Sequence, residues 1–134
     1  MLFRSETDLQ DLSGAFINQI IPYINDYFKS LNLNEYIKVE AFEDVRIKRY
    51  KKSSGEKFNT HIDVSCKESS KRFLAALLYL NDNNGNTVFP LLNYSIKPTC
   101  GSLLLFPPMW MFPHSGNEPT DNDKYVLMTF LNYP

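Results

Sequence analysis

Thiols are scarce in this chain: its 134 residues hold only Cys66 and Cys100. They stand far apart and in no CxxC arrangement, which excludes a disulfide framework and a thiolate zinc site and leaves two reduced structural thiols as the expectation. Charge of one sign is equally short. The formal net charge of -1 and pI near 6.1 leave no basic field to draw in nucleic acid and no polybasic tail for a membrane surface. No apolar run approaches the roughly 20 residues that a membrane helix needs. The opening MLFRSETDLQ turns acidic before a secretory hydrophobic stretch could form. The expectation from these absences is a soluble, cytoplasmic protein. Its length is that of one ordinary domain, long enough to bury a core without covalent staples, so residues 1–134 are read as a single domain.

The first third differs in pattern from the rest. Phe16, Ile17, Ile20, Ile21, Ile24, Phe28 and Leu31 recur at helical spacing, which predicts a helix from about residue 8 to about residue 30, kinked or split at Pro22. From Tyr36 onward the signal becomes a series of short β-rich runs: YIKVEAF, DVRIKRY, THIDV, RFLAALLYL, NTVF, YSIK, SLLLF, WMFPH and YVLMTFLNY. Turn chemistry at SSGEK, NDNNGN, KPTCG, FPP and GNEPTDND separates them, the rhythm of an antiparallel sandwich or barrel and not of alternating βα units. The expected fold class is mainly β with an N-terminal helix, helical support over about 1–33 and a β core over about 36–134.

Histidine is also rare, and here rarity is informative. The chain has two, His61 and His114, and the first lies two residues before an acid in THIDV. In a strand, residues i and i+2 share a face, so His61 and Asp63 can reach one ion while Ile62 packs behind them. A second imidazole from a distant strand would give two nitrogens and one carboxylate, with coordination positions left open. Iron(II) oxygen chemistry needs such a set, whereas a structural zinc site closes its shell with four protein ligands. An HxD tripeptide by itself has many origins, and the segment after His114 carries more weight. Ten residues on, Lys124 opens the strand YVLMTFLNY, where Lys124, Val126, Met128 and Phe130 share a face. If that face meets the core, Lys124 is an ammonium at the mouth of an apolar cavity, and it needs an anion.

Taken in order, RY, HID, LLYLND with GNTVF, IKPTCGSLLLFP, HSGNEP and KYVLMTF resemble the prolyl 4-hydroxylase branch of the 2-oxoglutarate and iron(II) dependent dioxygenases, over about residues 45 to 133. The resemblance implies a double-stranded β-helix, a cupin-like jelly roll of two facing sheets with the metal near one open end. It implies His61, Asp63 and His114 as iron ligands and Lys124 as partner of the distal carboxylate of 2-oxoglutarate. It sets Tyr79 against that same carboxylate, Tyr50 on the co-substrate or substrate pocket, and Thr87 at the glycine-rich start of a strand, where Asn86 replaces the usual second glycine. Many relatives carry a tryptophan six residues after the lysine, where this chain has Phe130, which implies a slightly wider pocket. Trp110, the only tryptophan, is read as plugging the barrel end, with lining of the substrate groove as the alternative.

The resemblance further implies hydroxylation of a prolyl residue in a peptide or protein, with iron(II) and 2-oxoglutarate required and ascorbate assisting. A free amino acid or small metabolite is the alternative substrate, and a catalytically inactive metal-binding jelly roll is the alternative of another class. The segment KKSSGEKF reads equally as a mobile lid or as a plain solvated hairpin loop. As a lid, its lysines together with Arg49 would favour a polar or acidic polypeptide, so Arg49 and Trp110 stand as candidate substrate contacts.

Overall fold

The computed structural model describes residues 6–134, with side chains described from residue 10. The first five residues of the expected helical region lie outside the described residues. The chain forms two compact units, one ending at Glu40 and the other spanning Ala41–Pro134.

In the first unit, helix α1 (Glu6–Ser30) is a single element with Pro22 inside it. Proline has no N–H to offer the carbonyl of residue 18, a loss that breaks many helices. Here both Asn18 and Pro22 lie on the exposed side, where water can serve the orphaned carbonyl. The helix is therefore not split. Phe16, Ile20, Ile24 and Phe28 are buried along one face at a spacing of four. The helix stops where Asn32 takes a left-handed conformation (φ 57°). The amides of Asn32 and Leu33 then donate to the carbonyls of Lys29 and Phe28, a Schellman closure that serves the last carbonyls. Among the described residues no helix is long and apolar enough to cross a membrane.

The second unit is a pair of antiparallel sheets. One contains β1 (Ala41–Phe42), β2 (Arg46–Tyr50), β4 (Arg72–Tyr79), β7 (Leu103–Phe106) and β9 (Lys124–Asn132). β4 runs between β7 and β9, and β1 and β2 pair in turn along the other edge of β9. The second sheet has the order β3 (Phe58–His61), β8 (His114–Gly116), β5 (Thr87–Phe89), β6 (Tyr94–Ile96). Ala75, Phe106, Met128 and Phe130 of the first sheet pack with Phe89 of the second, flanked by Leu77 and Ile96, so the sheets face each other across one core. RFLAALLYL is apolar on both faces because β4 is central and buried along most of its length. The expected mainly β jelly roll with an N-terminal helix is the observed architecture.

Three expected strands are shorter than the sequence pattern predicts. YIKVEAF contributes only Ala41–Phe42. THIDV ends its ladder at His61, and Asp63 sits in the bend beyond. WMFPH is a turn up to Pro113, and β8 begins at His114. Pro107, Pro108 and Pro113 have no N–H to give a ladder, so the pairing starts only after the last of them. This turn also overturns the reading of Trp110 as a plug. The indole is 72% exposed, while Phe112 packs against the core in its place.

Candidate metal centre

His61 ends β3, His114 begins β8, and the two are direct cross-strand partners in the antiparallel register. That pairing brings the imidazole centroids to 4.4 Å. Asp63 reaches the same point from the bend two residues later, and its backbone is held at both ends. Its amide donates to the Pro108 carbonyl at 3.0 Å, and its carbonyl accepts from the Arg72 guanidinium at 3.2 Å. Arg72 is itself fixed by a two-pronged pairing with Glu43 at 2.6 and 2.9 Å and by stacking over the Phe130 ring at 4.2 Å.

The side-chain geometry determines which nitrogens are available. Nδ1 of His61 donates to the Asn59 carbonyl at 2.8 Å, and Nδ1 of His114 donates to the Phe112 carbonyl at 3.0 Å. With each Nδ1 proton held by a carbonyl, Nε2 of each ring is the atom left free to act as a ligand. These nitrogens lie 3.2 Å from the two oxygens of Asp63, one on each. One ligand atom from each residue falls within 4.8 Å of the others. Two lone pairs and an ionised carboxylate at such separations repel unless positive charge lies among them, whether protons on the rings or one divalent ion. A two-nitrogen, one-carboxylate set is the chemistry of a divalent transition metal with open positions, and these residues fit it. The local electrostatics agree. Burial pushes the Asp63 carboxyl up, but hydrogen bonds from His114 and His61 outweigh it and hold the group well below the usual carboxylate range. His61 is raised, chiefly by its bond to Asp63 and against the opposing effect of burial.

The cavity floored by this cluster runs between the sheets to Lys124, with Phe58 and Phe106 among its apolar walls. Lys124 is 4% exposed. Its Nζ donates to the Gly85 carbonyl at 2.7 Å and lies 5.4 Å from the Tyr50 ring centroid. Among the described residues no carboxylate pairs with it, and burial pulls its pKa down to about 8. An ammonium with one neutral acceptor in an apolar wall is a site for an anion. Gly85 can hold this place because it has no side chain: a Cβ there would come 2.9 Å from the Asn117 carbonyl oxygen. Asn86, where the resemblance expects a second glycine, donates from its side chain to Ser95 at 3.0 Å.

Tyr50 and Thr87 line the same cavity. Tyr79 is buried behind it, its hydroxyl 2.7 Å from Oγ1 of Thr87. Burial raises the Tyr79 phenol, with the Thr87 hydrogen bond opposing, and burial raises that of Tyr50. Arg49 is not among the lining residues. It alternates with Lys48 and Tyr50 along β2 and so projects from the opposite face, where it pairs with Asp123 at 3.0 Å. Trp110 is also outside the lining. Lys48, which the sequence does not single out, lines the cavity as well; its place two residues before Tyr50 is the signal that could have found it. Segment 51–57 is tied to the loop that follows β8: the amides of Lys52, Ser53 and Gly55 donate to Asp123, Pro119 and Glu118 at 2.7 to 2.9 Å.

Comparison with known proteins addresses the same features. A protein from Acanthamoeba polyphaga mimivirus named "Putative prolyl 4-hydroxylase" is 28% identical over an alignment covering 94% of this chain and 60% of that protein. The chain thus spans less than two thirds of this relative's length. Among solved structures, the viral collagen prolyl hydroxylase of Paramecium bursaria Chlorella virus-1, in complex with 2OG, matches with a TM-score of 0.70 at 23% identity, over 88% of this chain and 72% of that one. A prolyl hydroxylase from Trichoplax adhaerens, in complex with a peptide fragment of the hypoxia inducible factor oxygen degradation domain, matches with a TM-score of 0.61 at 21% identity, over 84% of this chain and 56% of that one. At such identities these two structures establish the jelly-roll fold. A family model covers residues 45–132, a span that takes in β2, the clustered His61, Asp63 and His114, and the buried lysine. On that match the chain belongs to the 2OG-Fe(II) oxygenase superfamily.

Proposed function

We propose that this chain is an iron(II) and 2-oxoglutarate dependent dioxygenase that hydroxylates prolyl residues in a peptide or protein. The observation that carries the reading is the pairing, inside one cavity, of a His61–Asp63–His114 cluster at one end with a buried ammonium that has no counter-charge at the other. A cation site and an anion site facing one another match a metal and a dicarboxylic co-substrate. The similarity to proteins named as prolyl hydroxylases, one of them in complex with a peptide, supports the substrate class. Both compact units are read as parts of one catalytic domain.

When bound, iron(II) and 2-oxoglutarate supply the oxidation, in which dioxygen and the co-substrate yield succinate, carbon dioxide and one oxygen atom inserted into a C–H bond. The chain supplies position and exclusion of water. His61 and His114 offer Nε2, kept available by their Nδ1 bonds to backbone carbonyls, and Asp63 offers a carboxylate oxygen from a bend pinned to Pro108 and Arg72. Lys124 would hold the distal carboxylate of 2-oxoglutarate by a charge-assisted hydrogen bond. The Thr87 hydroxyl, oriented by Tyr79, stands beside that contact. Tyr50 lines the cavity beside Lys124. Phe106 and Phe89 pack on the His114 ring at 4.6 and 5.7 Å and keep that side of the cluster dry. Arg49 fixes the neighbouring loop through Asp123. Trp110 is left as an exposed aromatic outside the cavity lining.

The test is turnover by purified protein with iron(II), ascorbate and 2-oxoglutarate. Succinate should form slowly alone and faster with proline-containing peptides, which should gain one oxygen by mass spectrometry. Absence of succinate from metal-loaded protein in the presence of a broad peptide library would overturn the reading.

A further inference from the structure

The cations of β2 are not treated alike. On the outer face Arg49 pairs with Asp123 at 3.0 Å, and Arg46, which shares the inner face two residues before Lys48, pairs with Glu43 at 3.7 Å. On the inner face Lys48 lines the metal cavity with Tyr50, and among the described residues its ammonium has no hydrogen bond or ion pair. It stands over an aromatic ring, with Nζ 4.7 Å from the centroid of Phe58, whose ring is in turn 4.3 Å from that of His61, and it feels the Asp63 carboxylate at longer range. Lys48 therefore stands on the metal side of the cavity, opposite Val126 in the ladder, while Tyr50 stands opposite Lys124.

Charge accounting makes this ammonium informative. The charged residues lining the cavity, apart from the imidazoles, are Lys48, Asp63 and Lys124. A divalent ion on Asp63 and the two imidazoles, together with a doubly negative co-substrate on Lys124, leaves the cavity one positive charge in excess. That excess sits on Lys48. A half-buried cation in a cavity that closes over substrate is stabilised by an anion brought in by that substrate.

Resting on the proposed function, we infer that Lys48 is a specificity residue that binds a carboxylate of the prime substrate. The carboxylate comes either from an acidic side chain next to the target proline or from the α-carboxylate of a free amino acid. Phe58 holds the lysine stem and head in place for either.

The experiment measures binding to the full chain loaded with iron(II) and 2-oxoglutarate under anaerobic conditions. The probes are capped tetrapeptides with glutamate before or after proline, the matching glutamine peptides, and free L-proline. An ion pair in this setting corresponds to about tenfold in affinity. The glutamate peptides should bind about tenfold more tightly than the glutamine ones. Lys48→Met should erase that gap and Lys48→Glu should invert it, with 2-oxoglutarate affinity and melting temperature unchanged. Lys48-dependent binding of free proline, without discrimination between the peptides, supports the same role and assigns the carboxylate to a free amino acid. Equal binding of every probe by wild type and Lys48→Met overturns the inference, as does a loss confined to 2-oxoglutarate. Succinate measured on the same samples separates the two ideas: turnover with no effect of Lys48 leaves the proposed function standing, and no turnover removes both.

Discussion

At one end of the cavity Asp63 lies between two imidazole nitrogens, and its backbone is tethered to Pro108 and Arg72. At the other end Lys124 is also deeply enclosed, yet among the described residues its ammonium has the Gly85 carbonyl as its one hydrogen-bond acceptor and no carboxylate, with the Tyr50 and Tyr79 rings beside it. On the proposed function the first end would hold a cation in a set place, since rings, carboxylate and loop are each oriented by a second contact. The second end carries a charge that the protein itself leaves unbalanced. Residues that bind a metal can be arranged in advance because they tolerate one another once protonated or metallated. A residue that binds an anion must wait, because a resident carboxylate would occupy the site.

Each prediction presses on that contrast. The largest effect is expected from Asp63→Ala, which removes the carboxylate of the metal end; succinate production should fall to background, and metal content by elemental analysis should fall with it. Lys124→Met should act on the other end alone. The affinity for 2-oxoglutarate, read by calorimetry, should drop on the order of 100-fold while metal binding is retained.

The same lysine makes a stability prediction. Its pKa is pulled by burial from 10.5 to about 8 in the folded chain, so between those values the unfolded chain binds more protons. Ligand-free stability from this group should therefore be lowest below about pH 8 and rise toward pH 10.5. Denaturant melts should show that rise in wild type and lose it in Lys124→Met. A melt that falls over this window through Lys124 would contradict the burial argument.

Arg72→Ala tests whether the metal end depends on its tethers. Metal affinity should weaken by about 10- to 100-fold, and Arg72→Lys should restore little of it, since a lysine cannot make the forked pairing with Glu43. Tyr79→Phe is milder. It leaves Thr87 without its buried partner and should cost about 1 kcal/mol of stability, with a few-fold loss in 2-oxoglutarate affinity. Smallest of all is Arg49→Ala, on the outer face of β2, where removing an exposed pair should change stability by less than about 1 kcal/mol and leave probe affinities unchanged. A large loss of substrate affinity in that variant would return Arg49 to the substrate side.

Much of the site is legible in the sequence, because the informative residues are rare or lie in strongly patterned segments. Two histidines leave few ways to build a nitrogen-rich centre, and Lys124 opens a long apolar strand whose alternation points it inward. The helix and the central strand RFLAALLYL are readable for the same reason, as sustained periodicity or a continuous apolar run. The failures are local. WMFPH resembles a strand by composition, but Pro107 and Pro108 before it and Pro113 within it remove donors a ladder needs, and Trp110 ends outside. THIDV resembles one strand, yet the bend after His61 is what brings Asp63 back between the rings. Lys48 is hidden because a lysine in RIKRY reads as one of several solvated charges, although its place two residues before Tyr50 puts both on one face.

The sequence by itself determined the chemical inventory: which side chains can bind a metal, which apolar runs must be buried, and where turns must fall. These follow from residue type and short-range periodicity, which are properties of a few neighbouring positions. The tertiary structure alone decided the convergence. His61 meets His114 through an inter-strand register, Arg72 reaches Asp63 from another strand, and Lys124 is denied a carboxylate by the packing around it. Those are contacts between positions far apart along the chain or set by its packing, and no local pattern encodes which of them form until the two sheets close on their common core.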